Sequence, residues 1–128
     1  LKVLAAEDNE INAEILVELM EIEEVECDIA CDGKEALDKF EQSAPDRYDV
    51  IFMDVQMPIM NGYEATRAIR ACKHPRAKSI PIIAMTANAF DDDVRMAIDS
   101  GMNAHLAKPI DVEKLKDIIE DLRKGNNE

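Results

Sequence analysis

The sequence predicts an α/β fold: one parallel sheet of five strands, each followed by a helix. Five short apolar runs alternate with five segments of helical period along the 128 residues, the arrangement of successive βα units. Three of those runs are apolar almost without a break, as strands covered on both faces by helices must be. The length matches one domain, able to bury roughly two-thirds of its unfolded surface without disulfides or a metal.

The first run, Val3 to Ala6, opens the chain. Ile11, Ile15, Leu19 and Ile22 follow at three- and four-residue spacing, which predicts a helix laying that stripe on the sheet. The second run, Val25 to Ala30, alternates polar with apolar residues and suits a strand near an edge. Asp32 stands three residues before Glu35, and Asn61 three before Glu64, the spacing of a capping box at the start of the second and third helices. Between them lies the third run, Val50 to Met53. Ile82 to Met85 is the fourth, and Gly101 is placed to close the helix after it in the left-handed conformation. Ala104 to Ala107 is the fifth run, and Leu115, Ile118, Ile119 and Leu122 give the last helix its stripe. One domain covers residues 1–124, and Gly125 to Glu128 is a polar tail.

Composition narrows the function. Hydrophobic residues at 47% and charged residues at 34% belong to a globular protein rather than a disordered one. Acidic residues outnumber basic ones 28 to 15, a net charge of -13, so direct binding of nucleic-acid phosphates by this segment is not expected. Cys27, Cys31 and Cys72 are odd in number and form no C-x-x-C pair, which predicts buried or idle thiols in a reducing compartment rather than a disulfide framework or zinc site. No run approaches the ~18 apolar residues of a membrane span, and no basic-then-apolar leader opens the chain. The expectation is a cytoplasmic protein, or the cytoplasmic portion of a larger one.

Ligands of an open parallel α/β sheet bind beyond the carboxyl ends of its strands. The residues following the apolar runs are Glu7 and Asp8, then Asp54, then Thr86, then Lys108. Each alone is ordinary: a carboxylate after a strand commonly caps a turn or helix. Their joint placement at four strand ends is not. Two unit charges about 4 Å apart repel by about 4 kcal/mol at an effective dielectric near 20, so three converging carboxylates call for protons or a cation. Hard oxygen ligands on a wet rim suit Mg2+ better than zinc. Asp54 is the natural nucleophile for an aspartyl phosphate. Lys108 would pair with one phosphoryl oxygen and the Thr86 hydroxyl would donate to another.

These residues resemble the receiver, or response-regulator, family from Lys2 to about Lys124. The resemblance rests on Ala6-Glu7-Asp8-Asn9, on Met53-Asp54-Val55-Gln56-Met57-Pro58 through Asn61-Gly62, on Ala84-Met85-Thr86-Ala87 and on Lys108-Pro109. It implies a doubly wound, flavodoxin-like (βα)5 sheet in the order 2-1-3-4-5, with Asp54 as phosphoacceptor. By the same resemblance, Asp8, Asp54 and the Gln56 backbone carbonyl are direct Mg2+ ligands and Glu7 acts largely through water. Thr86 and His105 form the conformational switch, Gln56 and Asn88 tune the phosphate lifetime, and Lys108-Pro109 is a cis peptide. Tyr or Phe is common where His105 stands, so a pH-sensitive switch is a further expectation.

Glu7 to Asn12 and Asp54 to Ala65 look more like receivers fused to sensor kinases. Together with the start at Leu1, this favours a receiver cut from a hybrid histidine kinase. The implied phosphodonor is a histidine kinase, in the same polypeptide or another, and the implied acceptor a histidine phosphotransfer domain or an output domain.

The rivals are a pseudo-receiver that only binds partners and an aspartyl-phosphate hydrolase of the haloacid dehalogenase kind. The latter lacks its second Asp, because Gln56 stands two residues after Asp54. A flavin-binding domain would need a Ser/Thr-rich phosphate loop after the first strand, and a P-loop enzyme needs G-x-x-x-x-G-K-[ST]. The sequence has neither.

Overall fold

The computed structural model describes residues 1–87 and 91–126. Among them, five strands alternate with five helices: β1 (Lys2–Ala6), α1 (Glu10–Ile22), β2 (Glu26–Ala30), α2 (Gly33–Glu41), β3 (Val50–Asp54), α3 (Gly62–Ala71), β4 (Ile82–Thr86), α4 (Asp91–Ser100), β5 (Ala104–Ala107) and α5 (Val112–Asn126). All pairings are parallel and the strand order is β2-β1-β3-β4-β5. The chain reverses its winding between β1 and β3, the topological switch point where open α/β sheets bind ligands.

Side chains alternate across the sheet and build two cores. Leu4, Ala6, Ile51, Met53, Ile82 and Ala84 face a cluster that includes Ala36 and Phe40 of α2, Ala65 and Ile69 of α3 and Ala97 of α4. Val3, Ala5, Val50, Phe52, Ile83, Met85 and Leu106 face Leu16 and Met20 of α1 and Leu115 and Ile119 of α5. β1, β3 and β4 are therefore covered on both sides, as their unbroken apolar runs require. β2 is an edge strand, open along much of its length.

Strand ends differ by a residue from the sequence reading. Asp54 and Thr86 are the last residues of β3 and β4 rather than the first beyond them, because the ladders extend to Asp54↔Met85 and Thr86↔Ala107. α5 runs to Asn126 and takes in two residues of the expected tail.

The phase of α1 is a larger correction. Ile11 and Ile22 are 69% and 71% exposed and Ile15 is 47% exposed, whereas Ala13, Leu16 and Met20 are buried. Apolar residues occupy much of the circumference of α1, so spacing alone offers two stripes. The stripe Ala13, Leu16 and Met20 is the buried one, leaving three isoleucines outside.

Helix ends follow local chemistry. Asn61 and Glu64 form the full capping box, whereas Asp32 accepts from the Glu35 amide without the reciprocal bond. Gly101, at φ +110°, closes α4 with the bonds Met102 N to Ala97 O and Gly101 N to Ile98 O, the pair that defines a Schellman motif. The three thiols are free: Cys27 and Cys72 are half-buried, while Cys31 is exposed. Burial, then the neighbouring Asp28 charge, pushes the Cys27 thiol up to about 12. No helix among the described residues is long and apolar enough to cross a membrane.

Candidate functional site

Four strand ends deliver the polar rim. Glu7 and Asp8 follow β1, Asp54 ends β3, Thr86 ends β4 and Lys108 follows β5. Glu7, Asp54 and Thr86 are buried, at 4%, 4% and 5% exposure, and Asp8 is exposed. Main-chain bonds fix this rim: Glu7 N donates to Ala30 O, Val55 N to Met85 O and Lys108 N to Thr86 O. The Lys108–Pro109 peptide is cis, as the resemblance implied.

Lys108 is the electrostatic centre. Its Nζ lies 2.7 Å from Glu7 Oε2 and 2.8 Å from Asp54 Oδ2. The remaining carboxylate oxygens accept from backbone amides, Asp54 Oδ1 from Gln56 N at 3.1 Å and Glu7 Oε1 from Asn9 N at 3.3 Å. Burial pushes the Asp54 carboxyl above the ordinary range; the Lys108 and Gln56 hydrogen bonds oppose this and the Glu7 charge adds to it. For Lys108, burial pulls downward, but the hydrogen bonds and charges of Asp54 and Glu7 outweigh it and hold the ammonium above its usual value. One ammonium against three carboxylates leaves an excess of two negative charges.

That excess fits a divalent cation. Glu7, Asp8 and Asp54 each offer an oxygen, and the three lie within 4.8 Å of one another, an all-oxygen donor set of the kind Mg2+ takes. They line a cavity of about 230 Å3 shared with Asn9, Asn12, Val55, Gln56, Ala87 and Lys108. Asn12 belongs to this cavity although sequence reading gave it no role; its signal was its place in the first turn of α1, four residues after Asp8.

The expected switch pair shares a sheet face. His105 registers with Ala84, and Thr86 follows Ala84 by two, so Thr86 and His105 project to the same side. Thr86 is buried and His105 is exposed on the edge strand. The Gln56 side chain is exposed beside the cavity. Asn88 lies outside the described residues.

A 2-1-3-4-5 parallel sheet with an acidic, lysine-bearing rim at its switch point places the protein in the flavodoxin-like α/β class. The chain belongs to the response regulator receiver domain family, whose model matches residues 3–120. It is 41% identical over 122 residues to the osmosensing histidine protein kinase SLN1 of Saccharomyces cerevisiae, covering 93% of this chain and 10% of that protein. It is 40% identical over 129 residues to hybrid signal transduction histidine kinase L of Dictyostelium discoideum, covering 98% and 7% respectively. The chain thus spans a tenth or less of the length of these curated relatives.

Among solved structures, it is similar to the receiver domain of sensor histidine kinase PA1611 from Pseudomonas aeruginosa, described with a magnesium ion in its active-site cleft. The TM-score is 0.84 and the identity 35%, covering 94% of this chain and 95% of that one. A second likeness is to the co-crystal structure of the histidine phosphotransfer protein Ypd1 and the receiver domain of Ssk1 from Saccharomyces cerevisiae. Its TM-score is 0.77 and its identity 31%, covering 90% and 83%.

Proposed function

We propose that this receiver domain, residues 1–124, accepts a phosphoryl group from a phosphohistidine onto Asp54 and changes conformation in response. The observation that carries the reading is the Lys108 ammonium held between Asp54 and Glu7, with Asp8 beside them. Asp54 Oδ attacks phosphorus, the phosphorus–nitrogen bond of the donor breaks, and the electron pair and a proton end on the departing imidazole. An ionised carboxylate needs no general base. Lys108 then pairs with a phosphoryl oxygen, and the Thr86 hydroxyl donates to another as the switch closes with His105. Gln56 and Asn88 set how readily water reaches the phosphoryl group.

Asp8, Asp54, the Gln56 carbonyl and, through water, Glu7 would hold Mg2+. The bound ion would neutralise charge on the phosphoryl oxygens. The transfer is self-catalysed, with no free substrate turned over. The kinases to which this chain is similar support a place within a hybrid histidine kinase, with the kinase as donor; we assign that segment to the cytoplasm. The Ypd1–Ssk1 structure supports a histidine phosphotransfer domain as the next partner.

The test is incubation with acetyl phosphate, with and without Mg2+, followed by intact mass. A gain of about 80 Da that requires both Mg2+ and Asp54, and is absent in Asp54→Ala, is expected. No gain under any condition, with the fold intact, would overturn the reading in favour of a partner-binding module without chemistry.

A further inference from the structure

We propose that Gly62 is a positioning residue for phosphoryl transfer, keeping the first turn of α3 flush against the peptide that carries Asp54. This rests on the reading of Asp54 as phosphoacceptor.

Gly62 is the first residue of α3, where most residues fit and glycine is a poor helix former. Its φ is not positive; among the described glycines only Gly101 has that feature. Backbone conformation therefore does not explain the choice, and space does. A Cβ at Gly62 would overlap the Asp54 carbonyl oxygen and would lie 2.8 Å from Val55 Cα and 3.0 Å from the Asp54 carbonyl carbon. All three are backbone atoms, which no rotamer change can move aside. Gly62 N also donates to Val55 O at 3.1 Å, so the two segments are bonded as well as packed.

Neither side has room to yield. α3 cannot back away, because Ala65, Thr66 and Ile69 are fully buried and the Asn61–Glu64 capping box fixes the first turn. The peptide is pinned from the other side by Val55 N to Met85 O at 3.1 Å. A methyl group at position 62 would therefore tilt the Asp54–Val55 peptide. The Asp54 carboxylate would be drawn away from Lys108 Nζ, 2.8 Å distant, and from the Gln56 amide.

Gly33 supplies the matched comparison. A Cβ there would overlap the Met60 carbonyl and touch Ala65 Cβ at 3.0 Å. It overpacks the same β3–α3 connection, but its nearest neighbours belong to Met60 and Ala65 rather than to Asp54 or Val55.

The experiment first establishes on the native chain and Asp54→Ala that acetyl phosphate with Mg2+ adds a phosphoryl group through Asp54; failure there rejects the parent reading and leaves Gly62 aside. Phosphorylation is then followed by intact mass against acetyl phosphate concentration for native, Gly33→Ala and Gly62→Ala chains, at a temperature where all three are folded by circular dichroism. Gly62→Ala is expected to lower the limiting rate about 10- to 100-fold at an unchanged half-saturating concentration, the scale of a misplaced reacting group. Gly33→Ala is expected to stay within about threefold of native, using the same scale as reference. A near-native rate in Gly62→Ala, an equal loss in Gly33→Ala, or a change confined to the half-saturating concentration would overturn the proposal. If Gly62→Ala is unfolded in buffer, the rates are taken in a stabilising osmolyte. A chain unfolded there too would also overturn it, since Gly62 would then serve the fold and not the site.

Discussion

At the carboxyl end of the sheet, two buried carboxylates share one ammonium and a third stands beside them. At the amino end, a guanidinium reaches main-chain and amide oxygens instead. Arg70 of α3 donates from Nε and Nη2 to Gly101 O at 3.1 and 2.8 Å, from Nη1 to Ala77 O and Ile80 O at 3.1 and 2.7 Å, and from Nη2 to Asn103 Oδ1 at 2.9 Å. Asn103 Oδ1 in turn accepts from Ile82 N at 2.9 Å. His74 adds a second tie: Nδ1 accepts from Arg76 N, Nε2 bonds Ser43 O at 3.1 Å, and the ring lies against Phe40. At one end the guanidinium and the imidazole find their partners within the protein. The other leaves negative charge uncompensated, so added cation or phosphoryl group changes its energy most. A receiver needs both: a fixed base and a rim whose balance a ligand can tip.

The largest expected effect breaks the satisfied end. Arg70→Ala would leave the carbonyls of Gly101, Ala77 and Ile80 without their donors and cost about 3 kcal/mol in chemical denaturation, within the range for stranding buried acceptors. Arg70→Lys would recover less than half, because a single ammonium cannot reproduce the planar fork. Phosphoryl gain at Asp54 would persist in both while the chains remain folded. A loss below about 1 kcal/mol would show that water replaces the guanidinium and that the amino end is less closed than its bonds imply.

Next in size is the charge excess itself. Burial and Glu7 raise the Asp54 carboxyl above its ordinary value against the pull of Lys108 and Gln56 N. A raised acid binds its proton more tightly folded than unfolded. Its contribution to stability is therefore present below the ordinary carboxylate range and is lost as pH rises through the raised value. In EDTA, the native chain should lose stability relative to Asp54→Asn as pH rises above the ordinary carboxylate range, and Asp54→Asn should be the more stable once Asp54 is ionised. Saturating Mg2+ should reverse the order, since a cation at about 100 times its dissociation constant adds about 2.7 kcal/mol to the chain that binds it. Paired thermal melts at each pH check both statements. A native-minus-variant difference that stays flat with pH would mean that Lys108 already compensates Asp54 fully.

The same contrast explains what the sequence could and could not disclose. The five βα units and the residues of the rim were legible because the apolar runs of β1, β3 and β4 lead directly into charged or hydroxyl groups, whereas the strand order was implied by the resemblance to the receiver family. Interactions that carry no periodic or charge signature stayed hidden. The buried face of α1 was misread because Ile11, Ile15 and Ile22 are as hydrophobic as Leu16 and Met20, and only tertiary packing selects between them. Arg70 looks in sequence like any helix-surface arginine, since its acceptors are backbone carbonyls and the Asn103 side-chain oxygen, 7 to 33 residues away. Asn103 reads as a turn residue and Gly62 as punctuation, although each closes a contact that a side chain of another shape would prevent.

Strain offers the smallest and sharpest test of how the two ends differ. The β3–α3 connection, on the phosphoacceptor side, carries Ile59 at φ +68°, with Met60 N donating to Pro58 O at 2.7 Å across it. A β-branched residue in that region is a genuine outlier, costing of order 1–3 kcal/mol. Its side chain is 83% exposed and recovers little by burial. Asn tolerates positive φ far better, so Ile59→Asn should raise stability by about 1 kcal/mol, read as a higher denaturation midpoint at unchanged slope. The gain should appear with and without Mg2+, because the substitution touches neither Lys108 nor the carboxylates. A gain seen only without Mg2+ would mean that the strain in this turn is released when the cation binds, and that charge and strain at the carboxyl end are one store of energy rather than two.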